Sequence, residues 1–255
     1  MPISHTKKMI GKRSLIDPGK FLKYRIEKEG KPTFKCPESV ILCFSWKLFD
    51  HIIKNFKVRK VDGFVAQAYL MEDLAIFGRF GIGAPVSTIL LEELIAYGAK
   101  KFIIIGNAGA LQKNLKVGDL ILCKSAIRDE GVSYHYKSRS KYSVASNELT
   151  RKLQNNLNKI KVPFHIGTSW TNDAFYRVTK EEVVKYQNEG VLTTEMEAAS
   201  LFAVAEFRKV EIAAIFCISD SIANFKWKPG WHMQNIKSLE IAFKVAVKTL
   251  CLTNI

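Results

Sequence analysis

Apolar positions along the chain form two kinds of run. Short continuous ones at Ser39 to Phe44, Leu74 to Phe77, Lys101 to Ile105, Asp119 to Cys123, Phe164 to Ile166 and Ile212 to Ile218 are bounded by polar or glycine-containing segments and predict strands. The FIII and IAAIFCI runs lack polar alternation, which predicts strands covered on both faces. Ala84 to Tyr97 instead places Val86, Ile89, Leu90, Leu94 and Ile95 close to the helical period. Strands separated by helical patterns predict an α/β fold, a single domain with a mixed central β-sheet flanked by helices. Residues 1–37 are polar and basic and are interrupted by Pro18, Pro32 and Pro37. They read as an irregular leader with one short helix near Phe21 to Glu29, and the domain occupies residues 38–255. No internal repeat or low-complexity segment is present.

One helical pattern carries chemistry. In TTEMEAASLFAVAEF, Thr193 to Phe207, the run from Ala198 onward is apolar on all sides, which predicts a buried helix with Glu195 and Glu197 at its mouth. Two readings fit. Thr194-x-x-Glu197 has capping-box spacing, and carboxylates near a helix N-terminus are favoured by its dipole. Alternatively Glu197 faces a pocket and accepts hydrogen bonds from a polyol such as the two hydroxyls of a ribose. In α/β folds ligands gather at the carboxyl ends of strands, and three loops are expected there. They are Gly81 to Pro85, Gly106 to Ala110, and Ser219-Asp220.

Composition narrows the partners. A chain of 255 residues with 47% hydrophobic and 25% charged residues suits one globular domain. Its net charge of +15 is compatible with anionic partners, but the basic residues are scattered, with clusters only at Lys7, Lys8, Lys12 and Arg13 and at Lys137, Arg139 and Lys141. A solvated lysine-rich surface is the expectation, and nucleic acid a distant one. Five cysteines with no C-x-x-C spacing argue against a disulfide framework and a zinc site, so no metal is expected. Cys43, Cys123 and Cys217 fall in apolar strand-like runs, as small core residues do in a reducing setting. With neither a spanning apolar run nor a signal peptide, a soluble cytoplasmic protein without a membrane partner is expected.

Taken together, FGIGAPVSTILLEELIAYGAKKFIIIGNAGAL (Phe80 to Leu111), KVGDLILCKSAIRDEGVSYHY (Lys116 to Tyr136), SWTNDAFY (Ser169 to Tyr176), TTEMEAA and ISDS (Ile218 to Ser221) resemble, in order and spacing, the nucleoside phosphorylase superfamily that contains the hexameric purine nucleoside and uridine phosphorylases. The resemblance covers Ser39 to Asp220. It implies a pentosyltransferase of nucleoside salvage that uses inorganic phosphate as co-substrate and no cofactor, releasing free base and ribose 1-phosphate. It implies ribose against Met196 with its hydroxyls on Glu197, and the base near Phe175, Tyr176 and Ser219. Asp220 matches the purine branch's acid for the base nitrogen, a role that requires apolar surroundings to raise its pKa. The helix cap or turn is the structural alternative for Ser219-Asp220. Gly83 and Asn107 correspond to the phosphate side. A homodimer or a hexamer built as a trimer of dimers is implied, as is a histidine lent to a neighbour's ribose, for which His5 stands in position.

The phosphate side departs from the family pattern. CFSWKLF, Cys43 to Phe49, has neither the glycine nor the arginine of the family's first loop, no arginine lies in Phe102 to Ile105, and Asn107 replaces a hydroxyl residue. Arg79, Arg128 and Lys47 are the candidate substitutes. A nucleosidase, which uses water, is the runner-up, although its acid near the first strand is absent before Asp50. A catalytically weak nucleoside-binding protein is the third reading. The residues by which the uridine branch reads uracil have no match, which favours a purine. His135 is read as surface or packing unless it reaches a neighbouring site. WKPGW, Trp227 to Trp231, either completes the pocket or anchors the last helix.

Overall fold

The computed structural model describes residues 10, 14–30, 34–61, 66–230 and 232–251. His5 and Trp231 lie outside the described residues. The strands are β1 (Ser39–Cys43), β2 (Arg59–Val61), β3 (Gln67–Met71), β4 (Leu74–Gly78), β5 (Lys101–Ala110), β6 (Leu120–Asp129), β7 (Tyr142–Val144), β8 (Phe164–Asn172), β9 (Thr193–Glu195), β10 (Glu211–Ser221) and β11 (Lys228–Pro229). The helices are α1 (Pro18–Glu29), α2 (Trp46–Asn55), α3 (Ala84–Ala96), α4 (Asn147–Lys159), α5 (Lys180–Asn188), α6 (Ala198–Arg208) and α7 (His232–Leu250).

The sheet is mixed, as expected, and part of it closes on itself. β5 pairs with β10, β10 with β6, β6 with β8, β8 with β9, and β9 returns to β5. From β5 the sheet continues outward through β1, β4, β3 and β2. Side chains alternate between two apolar layers because strand residues point to opposite faces. In β10, Ile212, Ala214, Phe216 and Ile218 join the core beneath α3 and α6, while Ala213, Ile215 and Cys217 join the core beneath α2, α4 and α7. The continuous apolar runs are thus strands buried on both faces. Cys43, Cys123 and Cys217 are buried free thiols within them, and burial pushes Cys43 and Cys217 up to about 12.

Two of the three expected loops are strand instead. Gly106 to Ala110 is the second half of β5, and Ser219-Asp220 belongs to β10. These stretches close the barrel: Gly109 and Ala110 pair with Thr194 and Thr193 on one side and with Asp220 and Ser221 on the other. Of the remaining stretch, Gly81 to Gly83 is a loop and Ala84-Pro85 opens the helix α3, as expected. Gly83, at φ 98, stands just ahead of α3 in a backbone region open to glycine.

The helix α6 is buried from Ala198 to Ala205 and packs beside α3. Its last residue, Arg208, holds the buried Glu92 of α3 through Nε and Nη2 at 2.7 and 2.9 Å. Arg208→Ala would strand that carboxylate. Since the arginine is 30% exposed, the expected loss of unfolding free energy is about 2 kcal/mol, below the range for a fully buried pair, and urea denaturation measures it. On the outer side of α3, α1 is tied by Arg25 to Glu93 at 3.3 Å.

Candidate active site

A cavity of about 780 Å³ opens at the barrel rim, where the ends of β5, β9 and β10 meet the loops after β1 and β8 and the start of α5. Met196, Glu197, Phe175, Tyr176, Ser219, Asp220 and Asn107 all line it. Residues from segments more than a hundred positions apart meet there because the barrel closes.

The two carboxylates of TTEMEAA take different places. Glu195, at the end of β9, is the one that caps the helix: it accepts the amides of Glu197 and Ala198 at 2.8 and 2.7 Å, and the hydroxyls of Thr171 and, at 3.3 Å, Ser169. Thr194 does not form the predicted capping box. Its hydroxyl donates to the Trp170 carbonyl at 3.0 Å because its residue lies in a strand. Glu197 is therefore released from capping and makes no side-chain cap bond. It is 7% exposed, lines the cavity, and accepts the Gly83 amide at 2.5 Å. Burial and then the neighbouring Glu195 charge push its carboxyl up to about 8. Burial also raises Glu195, against the pull of its four donors. A carboxylate kept dry and bonded on one oxygen retains lone pairs for hydroxyl donors entering the cavity.

Asp220 reaches the cavity through a β-bulge. The register of β10 against β5 shifts between Ile218 and Asp220, which turns the aspartate toward Gly109. A Cβ on Gly109 would stand 3.3 Å from Asp220 Oδ2 and 3.4 Å from Thr194 Cγ2, so glycine leaves room for the carboxylate. The apolar enclosure expected from IAAIFCI ends at Ile218, and Asp220 itself is half-buried. Its Oδ1 accepts the Ser219 hydroxyl at 2.6 Å and its Oδ2 the Trp227 indole N–H at 3.0 Å. Trp227 thus belongs to the pocket, the first of the two readings of WKPGW. Because Trp227 meets Asp220 through this bond, Trp227→Phe is expected to lower kcat about fivefold, about 1 kcal/mol, the worth of one ordinary hydrogen bond. Steady-state kinetics checks this, and an unchanged kcat would assign the indole to packing alone.

The cations proposed for an anion do not reach the cavity. Arg79 is drawn to Asp50, at 2.6 and 2.7 Å, and lies over the Trp46 ring. Arg128 is 3% exposed and is consumed by the Ser133 hydroxyl, the carbonyls of Lys137, Ser138 and Ser140, and the Ser140 hydroxyl, with Tyr134 beneath it. Its guanidinium organises the loop after β6. Lys47 and His135 are also outside the cavity lining. Gly83 contributes through its amide to Glu197, not as a lining residue. In the loop after β1, Phe44 lines the cavity and packs edge-on against Phe80. The lysines that do line it are Lys180 and Lys226, beside Phe225. Sequence reading missed Phe44, Asn172, Thr194, Phe225 and Lys226; the aromatic-rich stretch IANFKW was the available signal for the last two.

The cavity has acceptors for a polyol, aromatic faces for a flat ring, and an aspartate beside them. The chain belongs to the phosphorylase superfamily, whose family model matches residues 41–251. It is 32% identical over 142 residues to the guanosine phosphorylase of Halorubrum lacusprofundi, covering 56% of this chain and 59% of that one. It is 36% identical over 164 residues to the uridine phosphorylase of Thermococcus kodakarensis, covering 59% of each. The match therefore spans about three-fifths of the length of these curated relatives. The crystal structure of uridine phosphorylase from Vibrio fischeri superimposes with a TM-score of 0.74 at 26% identity, covering 86% of this chain and 94% of that one. Among the described residues no helix is long and apolar enough to cross a membrane.

Proposed function

We propose that this chain is a nucleoside phosphorylase that cleaves the N-glycosidic bond of a purine nucleoside, or of uridine, giving free base and ribose 1-phosphate. The observation that carries this reading is Glu197, a buried carboxylate freed from helix capping and held by Gly83 in the wall of the cavity. In this reading Glu197 accepts the ribose 2′ and 3′ hydroxyls and Met196 packs on the sugar. Phe175 and Tyr176 flank the base, with Ser219 beside Asp220. As the C1′–N bond breaks, the sugar gains oxocarbenium character and a phosphate oxygen bonds to C1′. The electron pair of the broken bond stays on the base, and Asp220 delivers the proton that neutralises it. Family members named for guanosine and uridine phosphorolysis support the reaction type, and Asp220 supports a purine. Assembly as a homodimer or a trimer of dimers, and a cytoplasmic setting, go with this reading, and neither a cofactor nor a metal is required by the chemistry.

A second reading, hydrolysis, is favoured by one observation: both arginines near the phosphate side are committed elsewhere, and Phe44 stands among the lining residues. A panel of purine and pyrimidine nucleosides, assayed for free base with and without phosphate, separates the two. Phosphate-dependent cleavage with ribose 1-phosphate as product supports the first reading, and rates indifferent to phosphate support the second. Tight nucleoside binding without base release would overturn both in favour of a binding protein.

A further inference from the structure

A polar side chain from the C-terminal helix reaches the wall of the cavity. Asn235, near the start of α7, is 8% exposed and donates from Nδ2 to Oδ1 of Asn107 at 2.9 Å. Asn107 lies in the cavity-lining half of β5. A planar amide carries its acceptor oxygen on one side of the Cβ–Cγ axis and its NH2 donor group on the other. Fixing Oδ1 on Asn235 turns the NH2 of Asn107 away from α7. Asn235 accepts a cost in doing so: among the described residues its own Oδ1 is buried without a hydrogen-bond partner. Rotating the Asn235 amide would set oxygen against oxygen unless Asn107 turned as well, so the orphaned oxygen goes with a fixed orientation of Asn107. α7 is seated on β10 at this point, where Cys217, paired with Asn107 across the strands, lies 3.9 Å from the Asn235 carbonyl.

We infer that Asn235 is a positioning residue that holds the Asn107 amide with its N–H donors directed at the co-substrate, making a neutral, donor-only seat for an oxyanion where no arginine lines the cavity among the described residues. This rests on the reading of the cavity as a nucleoside site with phosphate beside the sugar. Neutral amide donors bind an oxyanion less tightly than a guanidinium fork does, so the orientation of this amide adds to what Lys180 and Lys226 supply across the same cavity.

Inorganic phosphate is the probe, and the side-chain NH2 resonances of Asn107 in 1H–15N spectra of the full chain are the readout. Phosphate is expected to shift them in the wild-type protein. Asn235→Asp presents only acceptors, draws the Asn107 NH2 toward α7 and turns Oδ1 to the cavity. It is expected to weaken phosphate about tenfold or more, the worth of a hydrogen bond to a charged group. Asn235→Ala leaves the amide free to turn and is expected to weaken phosphate about threefold, serving as the second variant if a buried aspartate prevents folding. In kinetics the loss should fall on KM for phosphate and spare KM for the nucleoside. Phosphate affinity unchanged in Asn235→Ala, or both KM values rising together, overturns the inference and leaves the phosphorylase reading standing. Wild-type cleavage indifferent to phosphate, with the Asn107 resonances still titrating normally, overturns the reading and leaves the seat.

Discussion

Glu197→Gln is expected to lower kcat/KM for nucleoside cleavage by about a hundredfold or more while making the folded protein more resistant to alkaline unfolding. Glutamine keeps the shape of the side chain and an oxygen for the Gly83 amide, but its NH2 replaces the acceptor that two sugar hydroxyls require. Losing two hydrogen bonds to a charged group, at about 1.5 to 3 kcal/mol each, corresponds to a fall of about a hundredfold to ten-thousandfold in kcat/KM. The stability effect has the opposite sign. Burial and the Glu195 charge raise the Glu197 carboxyl from 4.5 to about 8, so between those values the folded state holds a proton that the unfolded chain has released. Stability from this group is fully present below the lower value and is lost as the pH rises through the upper one. The glutamine variant has no such proton to lose. Its unfolding free energy should match or fall below the wild type near pH 5 and exceed it near pH 8.5, a difference that urea denaturation at the two pH values measures. In the wild type, kcat/KM should rise with pH toward about 8, because the ionised carboxylate of the free enzyme is the better acceptor for the hydroxyls. A variant that keeps its activity, or whose stability gap does not widen with pH, removes Glu197 from the sugar site.

What the sequence makes legible here follows the range of the interactions. β1, the first half of β5 and β10 are readable because residues such as Ile41, Ile103 and Ile215 meet one apolar layer while Val40, Phe102 and Ile212 meet the other, and that two-sided burial is written locally as an unbroken apolar run. The barrel is not readable in the same way. Gly109, Ala110, Thr193 and Thr194 close it by pairing across more than eighty residues of chain, and glycine and alanine after a strand look like a turn. The acidic helix mouth was visible as a constellation, yet the division of labour within it was not. Glu195 is claimed by Ser169 and Thr171, from a strand distant in sequence, and only that claim frees Glu197. The arginines failed for the same reason in reverse. Arg79 and Arg128 are close in sequence to the right loops, but Asp50 and the carbonyls of Lys137 and Ser138 reach them first. Proximity in the chain predicts where a backbone goes better than where a long charged side chain ends.

Asp220→Asn is expected to separate two kinds of substrate. For an ordinary purine nucleoside the base leaves with excess negative charge, and a positioned acid that neutralises it contributes about a hundredfold to ten-thousandfold. The asparagine variant should lose that factor in kcat. An N7-methylated purine nucleoside already carries a positive charge on its ring and departs as a neutral base, so it needs no proton from the enzyme, and its cleavage should fall only a few-fold, about the worth of one disturbed hydrogen bond. The contrast is needed because Asp220 also has structural partners: Ser219 on Oδ1, Trp227 on Oδ2, and the close approach to Gly109. Asparagine keeps both contacts only if its oxygen takes the Trp227 indole and the Ser219 hydroxyl turns to accept its NH2, a rearrangement that bears on every substrate alike. A purely structural role therefore lowers both rates by the same factor, whereas proton delivery lowers only the first. Trp227→Phe supplies the reference, since it removes the indole contact and leaves the carboxyl in place. If its modest loss is shared equally by both nucleosides while that of Asp220→Asn is not, the aspartate acts on the leaving base and the tryptophan braces the rim of the cavity. Equal losses in Asp220→Asn would instead reduce Asp220 to a brace for the rim of the cavity.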